Sequence, residues 1–180
     1  MSDARFAPVT AVTSQGSEDA MRGSLEYFRA RQPLATRYLL GAPLAAAAEL
    51  GAEGQRQLMH RTGTLLAEAL PLGACATLAE IEAQAAGHLA DLGLGWPRII
   101  EASQWLEIRH FEAPPLLGGA EGGAALGLIG LLEGLYAAWL HAAGADAVLT
   151  VRWSGSAEAP VPHELFHFGH PARLGGGNGA

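Results

Sequence analysis

The sequence predicts an α+β domain: N-terminal helices, then two antiparallel β-hairpins forming a four-stranded sheet, with a long apolar helix between the hairpins. Three observations predict it. Apolar residues recur at helical spacing as far as Leu92. The period changes to two at Trp96. A helical stretch from Ala124 to Ala143 then separates this first alternating block from a second one. Helices gathered on one face of an antiparallel sheet bury the apolar sides of both.

Each element has its own signal. Residues 1–16 are rich in Ala, Pro, Thr and Ser and are expected as a flexible arm. Ser17-Glu18-Asp19 opens a helix with a capping hydroxyl and first-turn acids; Met21, Leu25 and Phe28 form its stripe, and Pro33 interrupts it. Pro43 suits the first turn of the next helix, which runs from Leu44 to Leu70 as one piece or as two joined near Gly51 and Gly54. Its second half is expected to bury Leu58, Met59, Thr62, Leu65, Leu66 and Ala69, with Gln55, Arg56, His60 and Arg61 pointing elsewhere, and Pro71 stops it. Thr77-Leu-Ala-Glu80 is a capping box. Ile81, Ala85, His88, Leu89 and Leu92 follow at helical spacing, and Gly93 and Gly95 end that helix.

Trp96 to Ala102 and Trp105 to Glu112 read as strands joined by a tight turn at Ser103-Gln104, with Leu106, Ile108 and His110 sharing a face. Pro114-Pro115 closes the pair, and Gly118 to Gly123 is a link to the long helix. Beyond the helix, Ala147, Leu149, Val151 and Trp153 alternate as a third strand, and Val161 to Phe168 forms a fourth. Residues 17–170 are thus expected as one domain, followed by a disordered glycine-rich tail over 171–180.

Composition limits the function classes. The chain has 180 residues, 49% hydrophobic and 16% charged, with a net charge of −7. All eleven basic residues are arginine and no run of them forms a phosphate-tracking patch, which argues against nucleic acid as a partner. One cysteine excludes an internal disulfide and a Cys-pair zinc site. The N-terminal sequence lacks a basic segment followed by an apolar stretch, so the cytoplasm is the expected compartment. Ala124 to Ala143 carries Glu133 at its centre and lacks flanking arginines, so it reads as a buried helix rather than a membrane span.

That helix carries Gly123, Gly127, Gly130 and Gly134 on one stripe, continued by Ala137 and His141; Leu128, Leu131, Leu132, Leu135 and Trp139 lie on the other side. Each interior glycine costs about 1 kcal/mol relative to alanine, so something must approach the backbone closely to offset it. The neighbour is either another part of the same subunit or a second subunit. Gly127, Gly130, Glu133, Gly134, Tyr136 and Trp139 are therefore the candidate close-packing or oligomer-interface residues.

Three chemical motifs need weighing. His163-Glu164-Leu165-Phe166-His167 has the HExxH pattern of a zinc hydrolase, with His170 as a possible third ligand. Prolines at 160, 162 and 171 leave too little room for a stable helix, and on a strand His163 and His167 stand about 13 Å apart. They are decoys, and no metal or cofactor is expected. Cys75 sits on a turn before a helix N-terminus but has no partner motif, and reads as a semi-buried turn residue. Glu133 lacks an evident second catalytic group and is expected to make a structural hydrogen bond to a facing chain.

Three stretches also carry a family resemblance. They are Gly51 to Leu70 with Pro71 and Cys75, the helix end Leu92-Gly93-Leu94-Gly95-Trp96, and above all Leu131-Leu132-Glu133-Gly134-Leu135-Tyr136-Ala137-Ala138-Trp139. In order and spacing they resemble the D-subunit family of bacterial cellulose synthase over about Gly51 to Phe168. The resemblance implies a non-enzymatic accessory protein whose dimers assemble into an octameric ring. It also implies association with nascent β-1,4-glucan and with the other components of the cellulose synthase complex; a second view of the family makes its members an intracellular scaffold with a proline-rich partner. The implied location is beside the inner-membrane synthase, in the cytoplasm or alternatively the periplasm. The first fifty residues and the tail do not share the resemblance, so no glucan-contacting residue follows from it. From the residues alone, the competing reading is a small-molecule-binding module with an apolar cavity of roughly 300 Å³ or more between the sheet and the glycine-lined helix.

Overall fold

Thr77 and Glu80 satisfy each other's backbone at the start of a helix, and glycines with positive φ close two helices; these local signals fix where the elements begin and end. The computed structural model describes residues 42–43, 46–114, 123–157 and 162–174. The arm, the helix expected at Ser17, the glycine link up to residue 122 and the tail from residue 175 lie outside the described residues.

A 3-10 turn at Ala48–Leu50 leads into α1, Gly51–Ala69, and the chain bends between them at Gly51, whose φ is 74°. Helix α2, Leu78–Asp91, begins with the capping box: the Glu80 amide donates to Thr77 Oγ1 at 3.2 Å, and the Thr77 amide to Glu80 Oε2 at 3.1 Å. It ends with Gly93 at φ 65° while the Leu94 amide reaches back to the Leu89 carbonyl. Strands β1, Trp96–Glu101, and β2, Leu106–Phe111, form the first hairpin. Helix α3, Gly123–Ala142, follows and ends at Gly144 with the same cap geometry. Strands β3, Thr150–Ala157, and β4, His163–Gly169, form the second hairpin, and a short helix α4 spans Pro171–Leu174. The segment expected as an unstructured tail thus begins with one helical turn.

The four strands are antiparallel in the order β1-β2-β4-β3, so the hairpins join through their second strands. Pairs Ile99–Ile108, Ile108–Phe166 and Trp153–Phe166 set the core face of the sheet, with Leu106, His110, Phe168 and Val151 on the same side. Leu132, Leu135 and Tyr136 of α3 join this core.

Two expectations are corrected. The third strand begins at Thr150, after Ala147 and Leu149. Asp146 makes a turn there, taking the Val148 amide on its carboxylate and the Leu149 amide on its carbonyl. The strand continues instead past Trp153 through Ser154–Ala157; a bulge between Trp153 and Gly155, with Gly155 at φ 134°, absorbs the irregularity.

The second correction concerns α1. Of the expected stripe Met59 is buried and Leu66 packs against the core, but Leu58 and Leu65 are 48% and 49% exposed, and Gln55, Gly63 and Ala67 are buried in their place. Small size decides the choice. A Cβ on Gly63 would collide with the Leu131 carbonyl oxygen of α3. One on Gly134 would land on the His60 carbonyl, and one on Gly130 would lie 2.6 Å from the Arg56 carbonyl oxygen. Backbone meets backbone across α1 and α3, and larger residues cannot reach so close. The same logic holds Gly95, where a Cβ would strike the Phe111 carbonyl oxygen.

These contacts set opposite expectations for two helical glycines. Gly134→Ala gains about 1 kcal/mol of helix propensity, but overpacking costs about 1–3 kcal/mol or more, so urea denaturation will show a net loss. Gly87→Ala, on α2 with nothing within 4 Å of the new methyl, will stabilise by about 0.5–1 kcal/mol.

Candidate functional site

A carboxylate in the middle of an apolar helix must find donors. Glu133 is 2% exposed and finds three. Arg56 on α1 grips it bidentately, Nε to Oε2 at 2.9 Å and Nη2 to Oε1 at 2.5 Å. The Trp153 amide of β3 donates to Oε1 at 2.7 Å. Both partners belong to this same chain, and β3 is an outer strand, so Glu133 also occupies an amide at the sheet edge. The hydrogen bond and charge of Glu133 hold the Arg56 pKa above its ordinary value, against the opposing effect of burial. Helical spacing alone puts Arg56 away from the core; only the tertiary structure brings it to Glu133 across 77 residues of sequence.

Tyr136 and His110 form the second buried polar pair, which no sequence pattern joins. His110 is completely buried. Its Nε2 lies 2.7 Å from the Leu94 carbonyl oxygen, and its Nδ1 lies 2.6 Å from the Tyr136 hydroxyl. A carbonyl only accepts, so Nε2 carries the proton and Nδ1 accepts from the tyrosine. Burial pushes the His110 pKa down to about 4, although the Leu94 carbonyl acts in the other direction. Burial likewise raises the tyrosine's, which keeps it a donor. Trp139 completes the set: its indole N–H donates to the Leu70 carbonyl at the end of α1, and its ring stacks on His88 of α2.

The six candidate residues are thus all inside the chain. Gly127 is buried, Gly130 and Gly134 press on α1, and Glu133, Tyr136 and Trp139 each pair with a group on another element. The glycine stripe faces α1, where Gly130 and Gly134 meet the Arg56 and His60 carbonyls. Space opens elsewhere. A polar groove of about 370 Å³ lies between α1 and β3, with Arg61, Arg152 and His60 on its walls and Glu133 among its lining residues. A second cleft of about 280 Å³ adjoins His110, Glu112, His163 and Glu164, and Glu112 there adopts a left-handed φ of 54°.

The HELFH segment is strand β4. His163 packs on Phe111 and His167 stacks on Trp105, at ring separations of 5.1 and 4.9 Å, two strand repeats apart. His170 lies beyond the strand and takes the Ala172 amide on Nδ1. Among the described residues no group of three or more His, Cys, Asp or Glu is placed to hold a metal ion. Cys75 is half-buried in its turn, held by Gln84, whose amide nitrogen donates to Sγ while its oxygen takes the Gly73 amide. No described helix is long and apolar enough to cross a membrane.

The family model for the D-subunit of cellulose synthase matches residues 43–163. No curated protein matches the chain.

Two outcomes follow from the buried pairs. Arg56→Met leaves the Glu133 carboxylate with one donor and will cost about 3 kcal/mol in denaturant titration; Arg56→Met/Glu133→Gln, which removes the orphaned charge, will cost less than the single change. His110 makes stability depend on pH. Below its unfolded value near 6.5 the unfolded chain takes up a proton that the folded chain refuses. Its contribution is therefore complete above pH 6.5, falls as pH drops, and levels off below about 4, a loss of about 3 kcal/mol. The His110→Gln variant will lack that part of the slope.

Proposed function

The chain belongs to the cellulose synthase D-subunit family, and from that premise we propose that it is an oligomeric structural component that organises nascent β-1,4-glucan chains for export as crystalline cellulose. The family match over residues 43–163 carries this reading. The fold supports it physically. The buried polar groups most suited to chemistry, Glu133, His110 and Tyr136, are engaged in holding elements together, which fits a protein that works through shape. Its partners are copies of itself, assembled as dimers into an octamer, other components of the synthase complex, and the glucan. The alternative reading is an intracellular scaffold that binds a proline-rich partner. The proposed place of action is the cytoplasmic side of the inner-membrane synthase, with the periplasm as the alternative.

Contact between copies requires an open apolar surface. Leu58 and Leu65 lie one heptad apart on the outer side of α1, and Leu50 is 59% exposed at its start. We place the contact there. Native mass measurement of the purified chain will give an assembly, and Leu58→Glu/Leu65→Glu will reduce its mass while the far-UV circular dichroism stays unchanged. A wild-type monomer at working concentration overturns the oligomer. Deletion of the gene will lower cellulose yield or crystallinity and leave glucan polymerisation by the synthase intact; loss of polymerisation overturns the accessory role.

A further inference from the structure

The polar groove between α1 and β3 is electrically unlike the rest of the chain. Its lining holds Arg56, Arg61 and Arg152 against Glu53 and Glu133, a local excess of one positive charge by formal count, on a protein whose net charge is −7. Arg56 is committed to Glu133. Arg61 on α1 and Arg152 on β3 are both exposed, and among the described residues neither has an ion-pair partner. Arg98 and Arg109, by contrast, are each paired with a carboxylate. The groove therefore presents two uncommitted guanidinium groups from different elements to one space of about 370 Å³. Guanidinium forks match the paired oxygens of phosphate and carboxylate. Glu133, bonded to Arg56 of α1 and to the Trp153 amide of β3, ties together the two elements that carry these arginines.

We infer that this groove is a binding site for a small oxyanion, a phosphate monoester or carboxylate, held between Arg61 and Arg152. Gln57, His60 and Thr64 complete its lining among the described residues and offer further hydrogen-bonding atoms. The groove borders the proposed assembly face, since Arg61 stands one turn from both Leu58 and Leu65 on α1; an unchanged native mass of the double variant separates loss of the anion site from loss of assembly.

The test is calorimetric titration of the full-length chain at constant ionic strength, with inorganic phosphate in one arm and succinate in the other. Saturable binding of either probe is expected, and the tighter arm identifies the oxyanion class. Arg61→Gln/Arg152→Gln will weaken it at least tenfold without changing the melting temperature, since both side chains are exposed. Arg98→Gln, outside the groove, will bind as the wild type does. The inference is overturned by the absence of saturable binding in both arms, by equal binding in the double variant, or by an equal loss in Arg98→Gln.

Discussion

A single carboxylate organises the molecule. Glu133 sits where an apolar helix offers it no water, and an ionised group there is tolerated only when donors surround it. Its donors come from the helix above and from the strand beside it, so satisfying one charge fixes α1 over α3 and α3 against β3 at once. Where the two helices come closest, Gly63, Gly130 and Gly134 leave room for the facing backbone.

The opposite border of the sheet repeats the device. Glu82 of α2 accepts the Ile99 amide of β1 at 2.6 Å and also meets Arg98. Each outer strand therefore gives one amide to a helix carboxylate that an arginine holds in place. Free strand edges invite pairing with other chains. Here helices stand against both edges, and the exposed apolar residues of α1 lie away from the sheet.

Much of this is legible in the sequence because local chemistry suffices. The Thr77–Glu80 box, the glycine ends, the two hairpins and the shared face of Leu106, Ile108 and His110 depend on residues within a few positions of one another, or on a plain period. What sequence reading misses depends on distance. Residue size points to the leucines as the buried side of α1, whereas Gly63 and Ala67 win it because the partner helix is itself glycine-rich at the point of contact. The turn at Asp146 overrides an alternation that looks like strand. The Arg56–Glu133 and His110–Tyr136 pairs span 77 and 26 residues, and each half alone reads as an ordinary polar residue. Three stretches, the LEGLY segment above all, point past the fold to a family.

The notched contact between α1 and α3 has a mechanical meaning. Where side chains interdigitate, rotamer changes give helices some play. Here carbonyl groups rest directly against glycine backbone, and the nearest flexible group, Arg56, is pinned at its far end. The helices have little slack in which to slide or twist. Any change at this joint would therefore reach the sheet directly, because Glu133 also holds the Trp153 amide of β3.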